Sequence, residues 1–304
     1  MGKIAFVFSG QGAQNTGMGQ SLCEASSAAR QVFDTADRVR PGTAQQCFTG
    51  TKEELGVTIN TQPCVFAVDL AAAMAVAEHI RPDCVAGFSL GELAAVAFAG
   101  MLSQEQAFQL VCERAKLMND AAQQNKGAMV AVLKLDAAQA EQISEKYPEA
   151  WPVNYNCPKQ TVVAMAESVV DSLCADVKAA GGRATRLAVS GAFHSPYMRP
   201  AEEGLRTYLQ AVELTAPSLP VYANLTARPY EGDYKELLCQ QCANPVRWQQ
   251  TIENMAGSGV DTFIEVGVGK TLAGLIKKTL PDAQVYNVEN KEGLDAVIAA
   301  LGNR

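Results

Sequence analysis

The segment Cys84-Val-Ala-Gly-Phe-Ser-Leu-Gly-Glu-Leu-Ala-Ala-Val-Ala-Phe98 constrains the fold of this chain more than any other. A short apolar strand, Cys84 to Ala86, runs almost directly into a helical pattern, Leu90 to Phe98. Only a tight strand-to-helix turn can join the two, and Gly87 and Gly91 remove side chains that would clash in it. Ser89 sits at the apex in the pattern G-x-S-x-G, which raises a serine hydroxyl above a sheet as a nucleophile. A core serine at an ordinary β-α turn gives the same short pattern, so the rest of the chain has to supply a base, an oxyanion hole and a substrate anchor.

The strand-helix rhythm repeats on either side of this turn. Ile4 to Phe8 reads as a buried strand followed by a glycine-rich loop, Ser9-Gly-Gln-Gly-Ala-Gln14. Val65 to Ile80 reads as an Ala-rich helix closed by Arg81-Pro82, and Gln104 to Ala122 as another helix. Such alternation implies a mainly parallel sheet covered on both faces. The middle changes to β-α-β-β-α-β: Ala128 to Leu133, Ala137 to Lys146, Val153 to Asn156, Thr161 to Met165, Ser168 to Ala180 and Arg183 to Val189. That order is ferredoxin-like and compact enough to be an insertion. Strands at Pro220 to Asn224 and Thr262 to Val266, with a helix from Lys270, return the chain to the large sheet. The expected fold class is α/β, with a core from residues 1–123 and 193–304 and an inserted subdomain from residues 124–192.

The 304 residues are 48% hydrophobic and 19% charged, enough for one large core or a core carrying an insertion. A net charge of −7 argues against nucleic acid or an anionic membrane as partner. Met1-Gly2-Lys3 leads straight into a strand, so no secretory leader is expected. No uninterrupted apolar run reaches the length of a membrane span. Nine cysteines, an odd number in apolar contexts, fit reduced thiols and a cytoplasmic location. Cys239-x-x-Cys242 is the one close pair, and without two further ligands nearby it reads as two helix positions one turn apart, so no metal is expected. Two glycine-rich stretches fail as phosphate loops. Gly267-Val-Gly-Lys-Thr271 lacks the first glycine of a Walker loop, and Gly10-Gln-Gly12 lacks the third glycine of a dinucleotide fingerprint.

A serine nucleophile needs a base, and the chain has two histidines. His79 ends a helix just before Arg81-Pro82, whereas His194 lies in the small-residue loop Ser190-Gly-Ala-Phe-His-Ser-Pro-Tyr197. If Ser89 is catalytic, His194 is the base, and serine before histidine is the chain order of elbow enzymes. One oxyanion donor would be the Leu90 N–H, and the Gly10-Gln11-Gly12 turn can bring in the Gln11 N–H as the second. Arg114 is open to two readings, a forked anchor for a carboxylate or a surface arginine pairing with Glu113.

Seven ordered motifs carry a resemblance: Gly10-Gln-Gly-Ala-Gln14, Thr61-Gln-Pro63, Gly87-Phe-Ser-Leu-Gly-Glu92, Arg114 with Leu117-Met118, Ala192-Phe-His-Ser195, Asn244-Pro-Val246 and Glu265-Val-Gly-x-Gly-Lys270. Across almost the full chain it resembles the malonyl-CoA:acyl carrier protein transacylases of bacterial fatty acid synthesis. The resemblance implies an α/β-hydrolase-like core with a ferredoxin-like insertion. It implies Ser89 as the acylated nucleophile, His194 as base, the Gln11 and Leu90 amides as oxyanion hole and Arg114 on the malonyl carboxylate. Gln241 matches the residue whose backbone carbonyl orients the histidine, giving a Ser-His dyad without an acid. The chain departs from the family pattern at Phe88, usually His, and at Ser9, often Pro. Its Ala192-Phe-His-Ser195 resembles the malonyl-selecting members.

The expected activity is ping-pong transfer of malonyl from malonyl-CoA to the phosphopantetheine thiol of acyl carrier protein. The expected enzyme is a cytoplasmic monomer with no cofactor beyond the coenzyme A thioester substrate. Three other readings stay open: a polyketide acyltransferase acting in trans, a serine esterase or thioesterase on the same core, and a non-catalytic carrier-docking module. An acidic carrier meeting an acidic chain needs a local basic patch, for which Arg183, Arg186, Lys277 and Lys278 are candidates.

Overall fold

The computed structural model describes residues 2–302. Among them the strands are, in chain order, β1 Lys3–Phe8, β2 Cys84–Gly87, β3 Gly127–Leu133, β4 Ala150–Cys157, β5 Gln160–Ala166, β6 Arg183–Arg186, β7 Val221–Tyr222, β8 Val260–Val266 and β9 Gln284–Val288. They form two sheets. The larger has the order β7-β2-β1-β8-β9, and every neighbouring pair in it is parallel. Its central strand β1 is buried from Ile4 to Phe8, which is why that stretch reads as a continuous apolar run rather than an alternation.

The smaller sheet, order β4-β5-β3-β6, is antiparallel throughout. Helix Ala137–Ser144 links β3 to β4 around β5, and Val170–Ala179 links β5 to β6 around β3. Each β-α-β unit is therefore split by a strand of the other, as the element order implied. Beyond its own sheet, β4 pairs with the isolated segment at Val246. The Tyr155 N–H donates to the Val246 carbonyl at 2.9 Å, and the Val246 N–H donates to the Val153 carbonyl at 2.8 Å.

The fold amends several sequence expectations. The Ala-rich helix runs Thr58–Ala77, so it begins seven residues before Val65 and contains Pro63. Pro63 has no N–H to give the Ile59 carbonyl, so the helix goes without that one bond near its start. By length and composition this helix would also suffice to cross a membrane, contrary to the reading of the apolar runs. Instead, 83% of its apolar window is buried inside the fold, which makes it the central core helix. β7 is only Val221–Tyr222, and β6 stops at Arg186 although the Leu187 N–H still reaches the Met129 carbonyl at 2.9 Å.

Candidate active site

At the turn from β2 into the Leu90–Phe98 helix, Ser89 adopts φ 52°. A non-glycine residue there is strained by roughly 1–3 kcal/mol and persists only where its surroundings enforce it. Two features enforce it. A Cβ on Gly87 would lie 1.9 Å from the Gly91 carbonyl carbon, and one on Gly91 would lie 2.3 Å from the Phe8 carbonyl oxygen, so only glycines let the turn close against β1. Asn224 then clamps it: the Ser89 N–H donates to Asn224 Oδ1 at 2.7 Å, and Asn224 Nδ2 donates to the Gly87 carbonyl at 2.6 Å.

His194 Nε2 is 2.7 Å from Ser89 Oγ. On its far side, Nδ1 faces two carbonyls, Gln241 at 2.9 Å and Asn244 at 3.1 Å. Carbonyls only accept, so Nδ1 carries the proton and Nε2 presents a lone pair to the serine hydroxyl. The Gln241 carbonyl is therefore a hydrogen-bond acceptor for the imidazole. Burial, and then the Arg114 charge beside it, push His194 down to about 4, so the neutral, basic form prevails at neutral pH. His79 is exposed beyond the end of the Thr58–Ala77 helix.

Arg114 is buried on the Gln104–Gln124 helix, at 2% exposure, and no carboxylate lies within ion-pair distance of it among the described residues. The alternative of a surface pair with Glu113 therefore falls. Its partners are neutral: Nη1 donates to Gln62 Oε1 at 2.7 Å, and Nη2 donates to Gln241 Oε1 at 2.9 Å and to Ser89 Oγ at 3.2 Å. Its Nε has no partner. Arg114 is thus a buried cation hydrogen-bonded to neutral acceptors, with one donor unspent and another on the Ser89 hydroxyl, a donor set that an anion could use.

Behind the dyad lies a hydrogen-bond network that sequence reasoning missed. The Gln241 side chain donates to the Ser89 carbonyl at 2.6 Å and to Glu92 Oε2 at 3.1 Å. Glu92 also accepts from the Asn224 N–H at 3.2 Å and from the Tyr230 hydroxyl. Burial raises Glu92 to about 7 despite these donors. Gln62 and Glu92 fall within motifs already singled out. Asn224 and Tyr230 have no local signature, because their partners lie more than 130 residues away.

These groups open on a cleft of about 350 Å³ that Gln11, Leu90, Ser89, His194 and Arg114 all line. Leu90 opens its helix, so its N–H has no carbonyl partner within it and points with the positive end of the helix dipole. The loop bearing Gln11 is anchored through Ser9, whose hydroxyl donates to Asp69 Oδ1 at 2.7 Å and accepts from the Val268 N–H at 3.2 Å. Asp69 is fully buried, and desolvation holds its carboxyl well above the usual range. Phe88 also lines the cleft and packs edge-on against Trp248, with ring centroids 5.6 Å apart.

Other sequence candidates lie away from this chemistry. Cys239 falls in helix Tyr234–Gln241 and Cys242 caps its end, with the Cys242 thiol 3.5 Å from the Cys239 carbonyl. No cluster of three or more His, Cys, Asp or Glu that could hold a metal occurs among the described residues. Of the four basic candidates, Arg186 is already forked onto Glu167 at 2.6 and 2.9 Å, and Lys277 bonds the carbonyls of Pro281 and Ala283.

Comparison with known proteins agrees with this geometry. The family described as "Acyl transferase domain" matches residues 5–297. The malonyl CoA-acyl carrier protein transacylase of Bacillus subtilis (strain 168) is 38% identical, covering 99% of this chain and 98% of the relative. The crystal structure of the Clostridium perfringens malonyl CoA-acyl carrier protein transacylase superposes with a TM-score of 0.95 at 33% identity, covering 99% of this chain and 98% of that one. A malonyl-transacylase solved with its type II polyketide acyl carrier protein gives a TM-score of 0.94 at 33% identity, covering 99% and 100%. With its elbow serine, its histidine held by carbonyls and full-length matches on both measures, the chain belongs to the acyl transferase domain family, among the malonyl-CoA:acyl carrier protein transacylases.

Proposed function

We propose that the protein transfers malonyl from malonyl-CoA to the phosphopantetheine thiol of acyl carrier protein through a malonyl ester on Ser89, in fatty acid synthesis. Ser89 Oγ attacks the thioester carbonyl carbon while His194 Nε2 takes its proton. The Gln11 and Leu90 N–H groups receive the oxyanion. Coenzyme A leaves as its thiol with the proton that His194 returns, and the malonyl ester remains. The carrier's thiol then gives its proton to His194 and attacks the ester, and Ser89 regains that proton as it departs. Serine, imidazole and backbone amides complete this cycle on a monomer without a further cofactor.

The observation that carries the reading is the buried Arg114 guanidinium, 3.2 Å from Ser89 Oγ with no carboxylate partner of its own. Malonyl differs from acetyl by one carboxylate, and Arg114 is the group that can pair with it. An esterase or thioesterase acting on neutral acyl groups has no use for such a cation. Intact-mass analysis after exposure to malonyl-, acetyl- and methylmalonyl-CoA tests the proposal. A malonyl adduct that Ser89→Ala abolishes and that the carrier thiol removes faster than water is the expected result. An adduct that persists in Ser89→Ala, or an ester that only water removes, refutes it.

A further inference from the structure

Asp69, on the Thr58–Ala77 helix, is fully buried and makes no hydrogen bond to Ser89, His194 or Arg114. Its Oδ1 accepts from the Ser9 hydroxyl at 2.7 Å and from the Val268 N–H at 3.3 Å. Those two residues lie on different loops, one after β1 and one after β8, and both line the cleft beside Gln11. The carboxyl thus ties the two loops together from behind the cleft wall. The second loop closes tightly on it: Gly267 takes φ 114°, and a Cβ there would lie 1.7 Å from Asp69 Oδ1. The first loop is wedged as well. A Cβ on Gly10 would lie 2.8 Å from the Phe88 carbonyl oxygen, and one on Gly269 would lie 2.6 Å from the Ala13 Cβ. Gln11 sits inside this wedge, and its own N–H bonds nothing among the described residues. The direction of that N–H is therefore set by the loop, and the loop is set by its anchors.

We infer that Asp69 is a positioning residue for the oxyanion hole: through Ser9 and Val268 it holds the Gln11 N–H opposite the Leu90 N–H. The inference rests on the malonyl-transfer reading above. An oxyanion hole lowers the barrier only when its donors are fixed before charge develops. Leu90 is fixed by its helix, whereas Gln11 lies in a turn and depends on the carboxyl beneath it. Asp69 does this as an uncharged acid. Its Oδ2 has no hydrogen-bond partner, and no cation lies within ion-pair distance of it among the described residues. Desolvation, and after it the neighbouring Glu265, both favour the proton. An ionised carboxylate behind this loop would oppose the negative charge forming in front of it. Proline has no hydroxyl, so the link belongs to this chain's departure from the family pattern at Ser9.

The test follows the rate of Ser89 acylation by malonyl-CoA and by acetyl-CoA over a range of concentrations, alongside thermal melts. The oxyanion forms with either acyl group, and only in the transition state. Asp69→Ala should therefore cut the maximal rate about 10-fold or more for both thioesters, short of the loss of a whole donor. The half-saturating concentrations should not move. Asp69→Asn keeps an uncharged acceptor at Oδ1 and should stay within about 2-fold of wild type. A lower melting temperature with an undiminished rate below the melt would mean that Asp69 serves the fold alone. Slowing with malonyl-CoA but not acetyl-CoA would mean that it acts on the acyl anchor. An asparagine variant as slow as the alanine one would mean that the charge matters. Each of these three results overturns the proposal. If Asp69→Ala fails to fold, Ser9→Ala decides, since it cuts the Gln11 loop from the carboxyl and leaves the Val268 bond in place. It should slow both thioesters alike by about 2- to 5-fold, the scale of one neutral hydrogen bond, and an unchanged rate overturns the assignment. A wild-type protein that malonyl-CoA does not acylate refutes the malonyl-transfer reading first and this inference with it.

Discussion

On the proposed function, Arg114→Ala should separate malonyl from acetyl transfer, and the burial of the guanidinium bounds the size of the effect. A carboxylate about 4 Å from the guanidinium gains roughly 4 kcal/mol at the effective dielectric near 20 that suits protein sites. Removing one member of a buried charge pair costs a similar amount, about 3–5 kcal/mol, because the other charge is left desolvated. Two features place the effect in that range. Arg114 is 2% exposed, so water cannot replace it, and its Nε is already free of other partners. Loss of kcat/KM for malonyl-CoA should therefore be roughly 10²-fold to a few times 10³-fold. Acetyl-CoA carries no carboxylate, so its rate should stay level or rise. Arg114→Lys should restore part of the malonyl rate, since an ammonium supplies charge but not the fork that Gln62 and Gln241 hold in place. The assay is Ser89 acylation with both thioesters in wild type and both variants, alongside thermal melts. If malonyl and acetyl rates fall together, Arg114 serves the fold and its unpaired burial needs another explanation.

Three further outcomes follow from the site. His194→Ala should lower transfer by about 10²-fold or more, whereas the exposed His79→Ala should behave as wild type; equal rates in the two variants would remove His194 as base. Because His194 is held near 4, acylation should stay level as pH falls from 8 towards 5 and drop only below that. The unfolded chain binds this proton near 6.5, so the same group makes stability decline as pH falls from about 6.5 to 4. An acylation midpoint near 6.5 would contradict the buried, neutral imidazole. Ser9→Ala removes one donor from Asp69 Oδ1 but leaves the Val268 N–H bonded to that oxygen at 3.3 Å, so it should cost about 1 kcal/mol in denaturant unfolding, and an unchanged midpoint would show the hydroxyl contact to be idle.

How much of this was legible in the sequence depends on how far each constraint reaches along the chain. The elbow was legible because Gly87, Ser89 and Gly91 meet their requirement within five residues. The split β-α-β order was legible because β3 to β6 succeed one another with little between them. β9 was not read, since Gln284–Val288 is an edge strand with no clean alternation of buried and exposed residues. The start of the Thr58–Ala77 helix was missed because Pro63, which cannot donate to the carbonyl four residues back, lies inside it, and no local signal shows the helix extending before it. The site divides in the same way. Ser89 and His194 carry reactive groups that announce themselves, whereas the Gln241 side chain and Asn224 act on Ser89 from 152 and 135 residues away as ordinary amides. Arg114 was ambiguous because the sequence of an amphipathic helix does not reveal that this arginine faces Ser89 rather than water.

On the proposed function, the placement of Arg114 would also link the choice of acyl group to the strength of His194 as base. In the free protein its charge is the second cause, after burial, of the low His194 value, so the imidazole is a weaker base than an ordinary histidine. A malonyl carboxylate on the guanidinium cancels that charge, and the imidazole becomes more basic when the matching substrate is bound. General-base efficiency rises as the base approaches the working pH, so the cation would favour malonyl twice, once in binding and once in proton transfer. Acetyl brings no counter-charge and leaves the base weak. The same reasoning gives Arg114→Ala a second signature, because deleting the cation should move the acid limb of acetyl transfer to higher pH. Full burial of His194 would remain and would keep that limb below the ordinary histidine range. An acid limb that does not move in Arg114→Ala would leave the guanidinium as an anchor alone, with no hold on the base.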